Sequence, residues 1–219
     1  MPIFRQRPKA DAADFCRGWY ERFAFPSDPD QIQALEALTV DPLIAALEKA
    51  GSDPMDMDLD LVADELLALR LELFGTAYAH RTHEKVPLGA AETAATKLYL
   101  SERGRSDLWD SMLIYNKSIA AGPATRGTKA LTLMVDQTRV SLFKEYTKIG
   151  AEPDCAVRAL NRVGTSVDFL KIAPNRLGHV LAGQANLAPS DGVVSVLGAT
   201  AQGFYNGARE SLEEVDIQI

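Results

Sequence analysis

The strongest constraint on the fold is the long apolar segment from Asp53 to Glu84. Leu59, Val62, Leu66, Leu69, Leu73 and Thr76 recur at alternating spacings of three and four, and His80 and His83 extend the series. Residues at that spacing share one face of a helix. From Leu66 to Ala79 the only charges are Arg70 and Glu72. A helix apolar on nearly every side is surrounded by other helices. The pattern predicts an all-α fold: a multi-helix bundle of about seven to nine helices around a central buried helix over residues 55–84. Arg70 and Glu72 then need partners, because an unpaired buried charge costs on the order of several kcal/mol.

Helix boundaries are marked along the rest of the chain. Asp41-Pro42 supplies an N-cap with proline at the first helical position, and Gly51 closes that short helix. Asp53-Pro54 opens the long helix and Pro87 stops it. Ser106 precedes a stripe of Leu108, Met112, Tyr115 and Ile119. Residues 127–149 read as a second long helix with Leu131, Met134, Val135, Leu142, Phe143, Tyr146 and Ile149 on its apolar face. Pro153 starts a short helix that Gly164 ends, and Thr165 with Asp168 matches a capping box. Residues 9–23 and 88–103 are helical by the same reading. No Asn-Gly or Asp-Gly turn joins two alternating runs, so no hairpin is expected. The chain reads as one helical domain over residues 1–219. An acidic N-terminal lobe (1–86) would pack on a C-terminal helical lobe (87–219).

Charge is unevenly placed. Residues 28–72 hold twelve Asp or Glu against Lys49 and Arg70, a balance of −10, whereas residues 81–176 hold fifteen Lys or Arg against ten acids, or +5. Acids gathering at helix N-termini explain much of this, and the same polarity would also orient a partner. No run approaches the roughly 18 apolar residues of a membrane span. Two distant cysteines, Cys16 and Cys155, make no disulfide framework, and a cytoplasmic protein is expected.

Four constellations carry some chemistry. His80 and His83 lie one helical turn apart with Glu84 beside them, and a divalent metal such as zinc or iron could use them, with Glu92, His179 or Cys155 drawn from elsewhere. Helix-end histidines bonding the last carbonyls are the plainer reading, and no other cofactor is expected. Asp56, Asp58 and Asp60 imitate a calcium loop, but Leu61 and Leu67 stand where glycine and a bidentate acid are needed. Asp60 and Asp64 share a face suited to magnesium, although an acidic first turn accounts for them. Cys155, just after Pro153, reads as a buried structural thiol rather than a nucleophile. Arg158, Arg162, Lys171 and Arg176 sit on two short segments joined near Gly164, an outline of a nucleic-acid-binding pair. The pI near 5.0 opposes a broad phosphate footprint, so nucleic acid is the weakest reading.

The last helix carries Ser195, Ala199, Gly203, Gly207 and Ser211 at every fourth position, a ridge of small side chains. Such ridges let another helix approach closely, and that helix belongs to this chain or to another. Each internal glycine costs up to about 1 kcal/mol relative to alanine, so close packing must offset it. With no G-x-S-x-G elbow and no glycine-rich phosphate loop, an enzyme is the less favoured reading. The sequence points to a helical protein–protein interaction module (an adaptor, assembly factor or complex subunit) that docks a protein partner or a second copy through this ridge. A metal-dependent enzyme or sensor using His80 and His83 is the alternative.

Overall fold

Among the described residues, eight α-helices are built as local caps and spacing dictate: α1 (Ala12–Trp19), α2 (Pro29–Lys49), α3 (Leu59–Arg81), α4 (Val86–Glu102), α5 (Asp107–Ala121), α6 (Lys129–Lys148), α7 (Pro153–Asn161) and α8 (Asp191–Glu213). The computed structural model describes residues 7–82, 85–121, 129–163, 167, 169, 180 and 191–219. The protein is all-α apart from β1 (Lys9–Asp11) and β2 (Asp216–Gln218), which pair in parallel with Ala10 opposite Ile217. No described helix is long and apolar enough to cross a membrane.

Helix α3 is the expected centre. Asp58 caps it, accepting the Leu61 N–H at 3.0 Å, and every residue from Ala68 to Ala79 is buried. It runs between α5 and α8 and touches α4, while α1 packs on α4 and α2 on α8. Elements from the two halves of the sequence therefore interleave around one core. Trp19 stacks on Phe74 with centroids 4.2 Å apart, and Tyr20 meets the same ring edge-on.

Three helix boundaries differ from expectation, each for a local reason. Helix α2 starts at Pro29 under an Asp28 cap and runs through Pro42. Asp41-Pro42 repeats the Asp28-Pro29 start signal inside a helix already formed, and the proline only withdraws one donor. The Pro54–Asp56 segment is a separate 3₁₀ turn. Pro87 does not stop α3; it lies in the first turn of α4, where its missing N–H is tolerated. Helix α6 buries less than its stripe suggests, since Tyr146 is buried but Met134, Phe143 and Ile149 are exposed. The Gly164 stop and the Thr165–Asp168 capping box fall outside the described residues.

Polar contacts at the core are concentrated in four charges. Glu72 of α3, Glu92 of α4, Arg158 of α7 and Arg162 at its C-terminal cap are all buried to 1% exposure or less. Arg158 donates through Nε to Glu72 at 2.8 Å and through Nη1 to Glu92 at 3.2 Å. Arg162 donates through Nε and Nη2 to Glu72 at 3.0 and 3.1 Å and through Nη1 to Glu92 at 2.8 Å. Asn116 of α5 donates to Glu72 at 2.9 Å, and Thr93 and Thr96 each donate to Glu92 at 3.1 Å. Two acids and two guanidinium groups cancel, and four helices are tied at one point. Burial alone would push the Glu92 carboxyl up. The charges of Arg158 and Arg162, with hydrogen bonds from Arg162 and Thr96, outweigh it and hold the carboxyl at about 2.

Removing one member leaves an uncompensated charge in the core. Glu92→Gln is expected to lower stability by about 3–5 kcal/mol, read by denaturant unfolding; a loss under about 1 kcal/mol would contradict a closed quartet. The Glu92 carboxyl titrates lower folded than unfolded, so its contribution is complete above its ordinary value of 4.5 and fades as pH falls toward 2. Wild-type stability measured across that acid range should fall, and Glu92→Gln should fall less steeply.

Candidate functional site

Arg70 lies two residues before Glu72 on α3, yet its surroundings are the reverse. It is 6% exposed, and no described carboxylate forms a salt bridge with it. Its Nη1 donates to the carbonyl of Phe23 at 2.7 Å, and its guanidinium lies over the Phe204 ring at 4.5 Å. That carbonyl is available because α1 ends in a π turn, Tyr20–Ala24, and helix-end carbonyls lack intrahelical partners. Desolvation pulls the Arg70 pKa down to about 10, so the group is still a cation at neutral pH.

Arg70 helps line a 140 Å³ cavity with Trp19, Phe23, Leu35, Gly203, Phe204, Gly207, Ala208 and Ser211. Seven described buried polar side-chain atoms have no hydrogen-bond partner, and two of them, Arg70 Nε and Trp19 Nε1, belong to residues of this cavity. Both are donors without an acceptor. Leu35, Gly203 and Phe204 are shared with an adjoining 460 Å³ trough, which Leu38, Thr39, Pro42, Val196, Ala199 and Thr200 complete. Leu38 is 73% exposed on its rim. The two spaces form one apolar groove between α2 and α8 with a desolvated cation at one end.

The expected small-residue ridge lies along this groove. Ala199 and Gly203 line the trough, Gly203, Gly207 and Ser211 the cavity, and Ser195 is exposed beyond them. Ser211 returns its hydroxyl proton to the Gly207 carbonyl at 3.0 Å. A Cβ built on Gly203 or Gly207 would meet no atom within 4 Å. No described residue packs closely enough on either position to require glycine there.

Other expected sites resolve differently. Arg158 and Arg162 are core residues, 0% and 1% exposed. The nucleic-acid reading is corrected at both positions, because a buried guanidinium clamped by carboxylates cannot reach a phosphate. Lys171 and Arg176 lie outside the described residues. His80 pairs its Nδ1 with the Tyr205 hydroxyl at 2.8 Å, linking α3 to α8, while His83, Glu84 and His179 also lie outside the described residues. Asp64 is bound by Arg105 at 2.8 Å, which takes one of the two carboxylates of the magnesium reading. Glu152, Asp154 and Cys155 come close enough to share an ion. Lys97 already bonds both carboxylates, and burial lifts the Cys155 thiol to about 11. A larger 650 Å³ cleft beside them, lined by Ala94, Lys97, Leu98 and Ile149 among others, thus has its charges spent on one another.

Trp19, Leu35 and Phe204 are among the groove residues the sequence does not single out, and Arg70 is marked in it only as a cation needing a partner. Set against known protein families, curated proteins and solved structures, the chain matches none of them. The functional reading therefore rests on the groove.

A buried cation that no described carboxylate pairs with works against the free fold. Arg70→Met, which keeps the length and removes the charge, is expected to leave the melting temperature unchanged or higher. A fall equivalent to more than about 2 kcal/mol would mean that Arg70 is a structural group like Arg158.

Proposed function

We propose that this chain is a helical protein–protein interaction module that receives a partner helix in the groove between α2 and α8. The observation that carries the reading is the open space over Gly203 and Gly207. Glycine inside a helix is unfavourable by about 1 kcal/mol relative to alanine, and here no contact within the chain offsets it. Small side chains on an exposed ridge let a second helix come close enough for backbone-to-backbone packing. The trough is lined almost wholly by apolar groups, with the Thr39 hydroxyl already bonded to the Leu35 carbonyl at 2.8 Å. A segment entering it must satisfy its own backbone hydrogen bonds, which a helix does and an extended strand does not.

Gly203→Leu places an isobutyl group in the trough without touching the core. It is expected to keep the wild-type melting temperature while abolishing association, read by native mass spectrometry of both proteins purified gently from the same host. A wild type that is always a lone chain, or an assembly unchanged in the variant, would sink the proposal.

A further inference from the structure

Building on that reading, we infer that the partner helix presents an acidic side chain, Asp or Glu, which enters the 140 Å³ cavity and pairs with Arg70. Arg70 and Trp19, each 6% exposed, line this cavity, and no described carboxylate forms a salt bridge with Arg70. Each residue carries a buried donor that no acceptor meets, the Arg70 Nε and the Trp19 Nε1. A carboxylate is the one common protein group that offers two acceptor oxygens together with the missing negative charge. The guanidinium is held by the Phe23 carbonyl and the Phe204 ring, so it is oriented before anything binds. An arginine fixed in place loses little further freedom when it pairs. Gly203 and Gly207 border the same cavity, so a helix that crosses there comes near enough for a short acidic side chain to reach.

A second copy of this chain is a poor occupant. From Ser195 to Ser211 its own ridge helix carries a single acid, Glu210, so antiparallel ridge-to-ridge pairing centred on Gly203 would set the acid-free stretch from Ser195 to Gly203 against the cavity. It would also set one −7 chain against another beside exposed acids of α2, Asp30, Glu36 and Asp41. A partner helix with a single acid among small and apolar residues fits the charge and the width.

The test separates the anchor from the docking itself. Sodium hexanoate serves as the carboxylate probe, with hexanamide and sodium chloride at matched ionic strength as controls. Thermal denaturation reads binding to the folded state alone. In the wild type only hexanoate should raise the melting temperature; Arg70→Met should abolish the response and Arg70→Lys should reduce it. Both variants should weaken the native assembly about tenfold or more, the worth of one charge-assisted bidentate pair. The probe arm needs no variant, so a misfolded substitution does not rescue the inference. If hexanoate acts no differently from its controls and Arg70→Met keeps the assembly, the acidic anchor is overturned. Should Gly203→Leu still dissociate in that case, helix docking survives without it. If the wild type is a lone chain that binds dodecanoate through Arg70, a lipid carboxylate occupies the groove and the partner-helix inference fails.

Discussion

Everything in this bundle hangs on the ion quartet of Glu72, Glu92, Arg158 and Arg162. Four charges buried to 1% or less are tolerable only as a closed set. Each guanidinium touches both carboxylates, and Asn116, Thr93 and Thr96 satisfy remaining lone pairs. Hydrophobic burial would hold α3, α4, α5 and α7 together in several relative registers. The quartet closes in one, since sliding α7 by a turn would carry one arginine into the other's place and leave the second without its two carboxylates. The core thus gains register from its charges and cohesion from Trp19, Phe74, Leu69 and the other apolar residues around α3.

Against that closed set Arg70 stands out by contrast. Residues 70 and 72 are neighbours on one helix, carry opposite charges, and point about 200° apart around its axis. Glu72 turns into the quartet, while Arg70 turns toward α8 and the groove. On one side of α3 each buried charge has an opposite charge in contact, with only the Arg158 Nη2 left without an acceptor, while on the other Arg70 meets no described carboxylate. Physical chemistry gives two ways to keep such a group: a functional need, or a protein-wide indifference to a few kcal/mol. A second orphan donor on Trp19 at the same cavity, and helix glycines packed against nothing, favour the first.

Much of the fold was legible because it is written in short range. The three-and-four spacing of Leu59 to Thr76 announced α3 and its burial, and the four-residue spacing from Ser195 announced the ridge. The long-range pairings were not legible. Arg158 and Arg162 share one helical face, which looks the same from sequence whether that face meets phosphate, water or two glutamates. Their partners are 86 and 90 residues away at Glu72. Pro42 misled for the opposite reason: proline after aspartate is a start signal only where no helix is already under way. The β1–β2 pair joining the chain's two ends was invisible too, since three residues on each side carry no alternation worth reading.

The helical glycines divide by what surrounds them, and open space alone does not mark the groove, since Gly18 of α1 has it as well. At Gly75 a Cβ would run into the Arg162 guanidinium and the Glu92 carboxylate, and at Gly89 into the Tyr146 hydroxyl. Those positions are glycine because the core leaves no room, and the reason lies wholly inside the chain. Gly203 and Gly207 have the same helical context and the same entropic disadvantage, but nothing within 4 Å explains them. If packing against the protein itself were the only demand on this sequence, alanine would serve better at both. The space over them is bordered by Arg70, which pairs with no described carboxylate, and by Trp19, whose indole N–H meets no acceptor among the described residues. A helix carrying one carboxylate supplies what all three lack at once: a surface to pack on the glycines, a charge for Arg70 and an acceptor for Trp19.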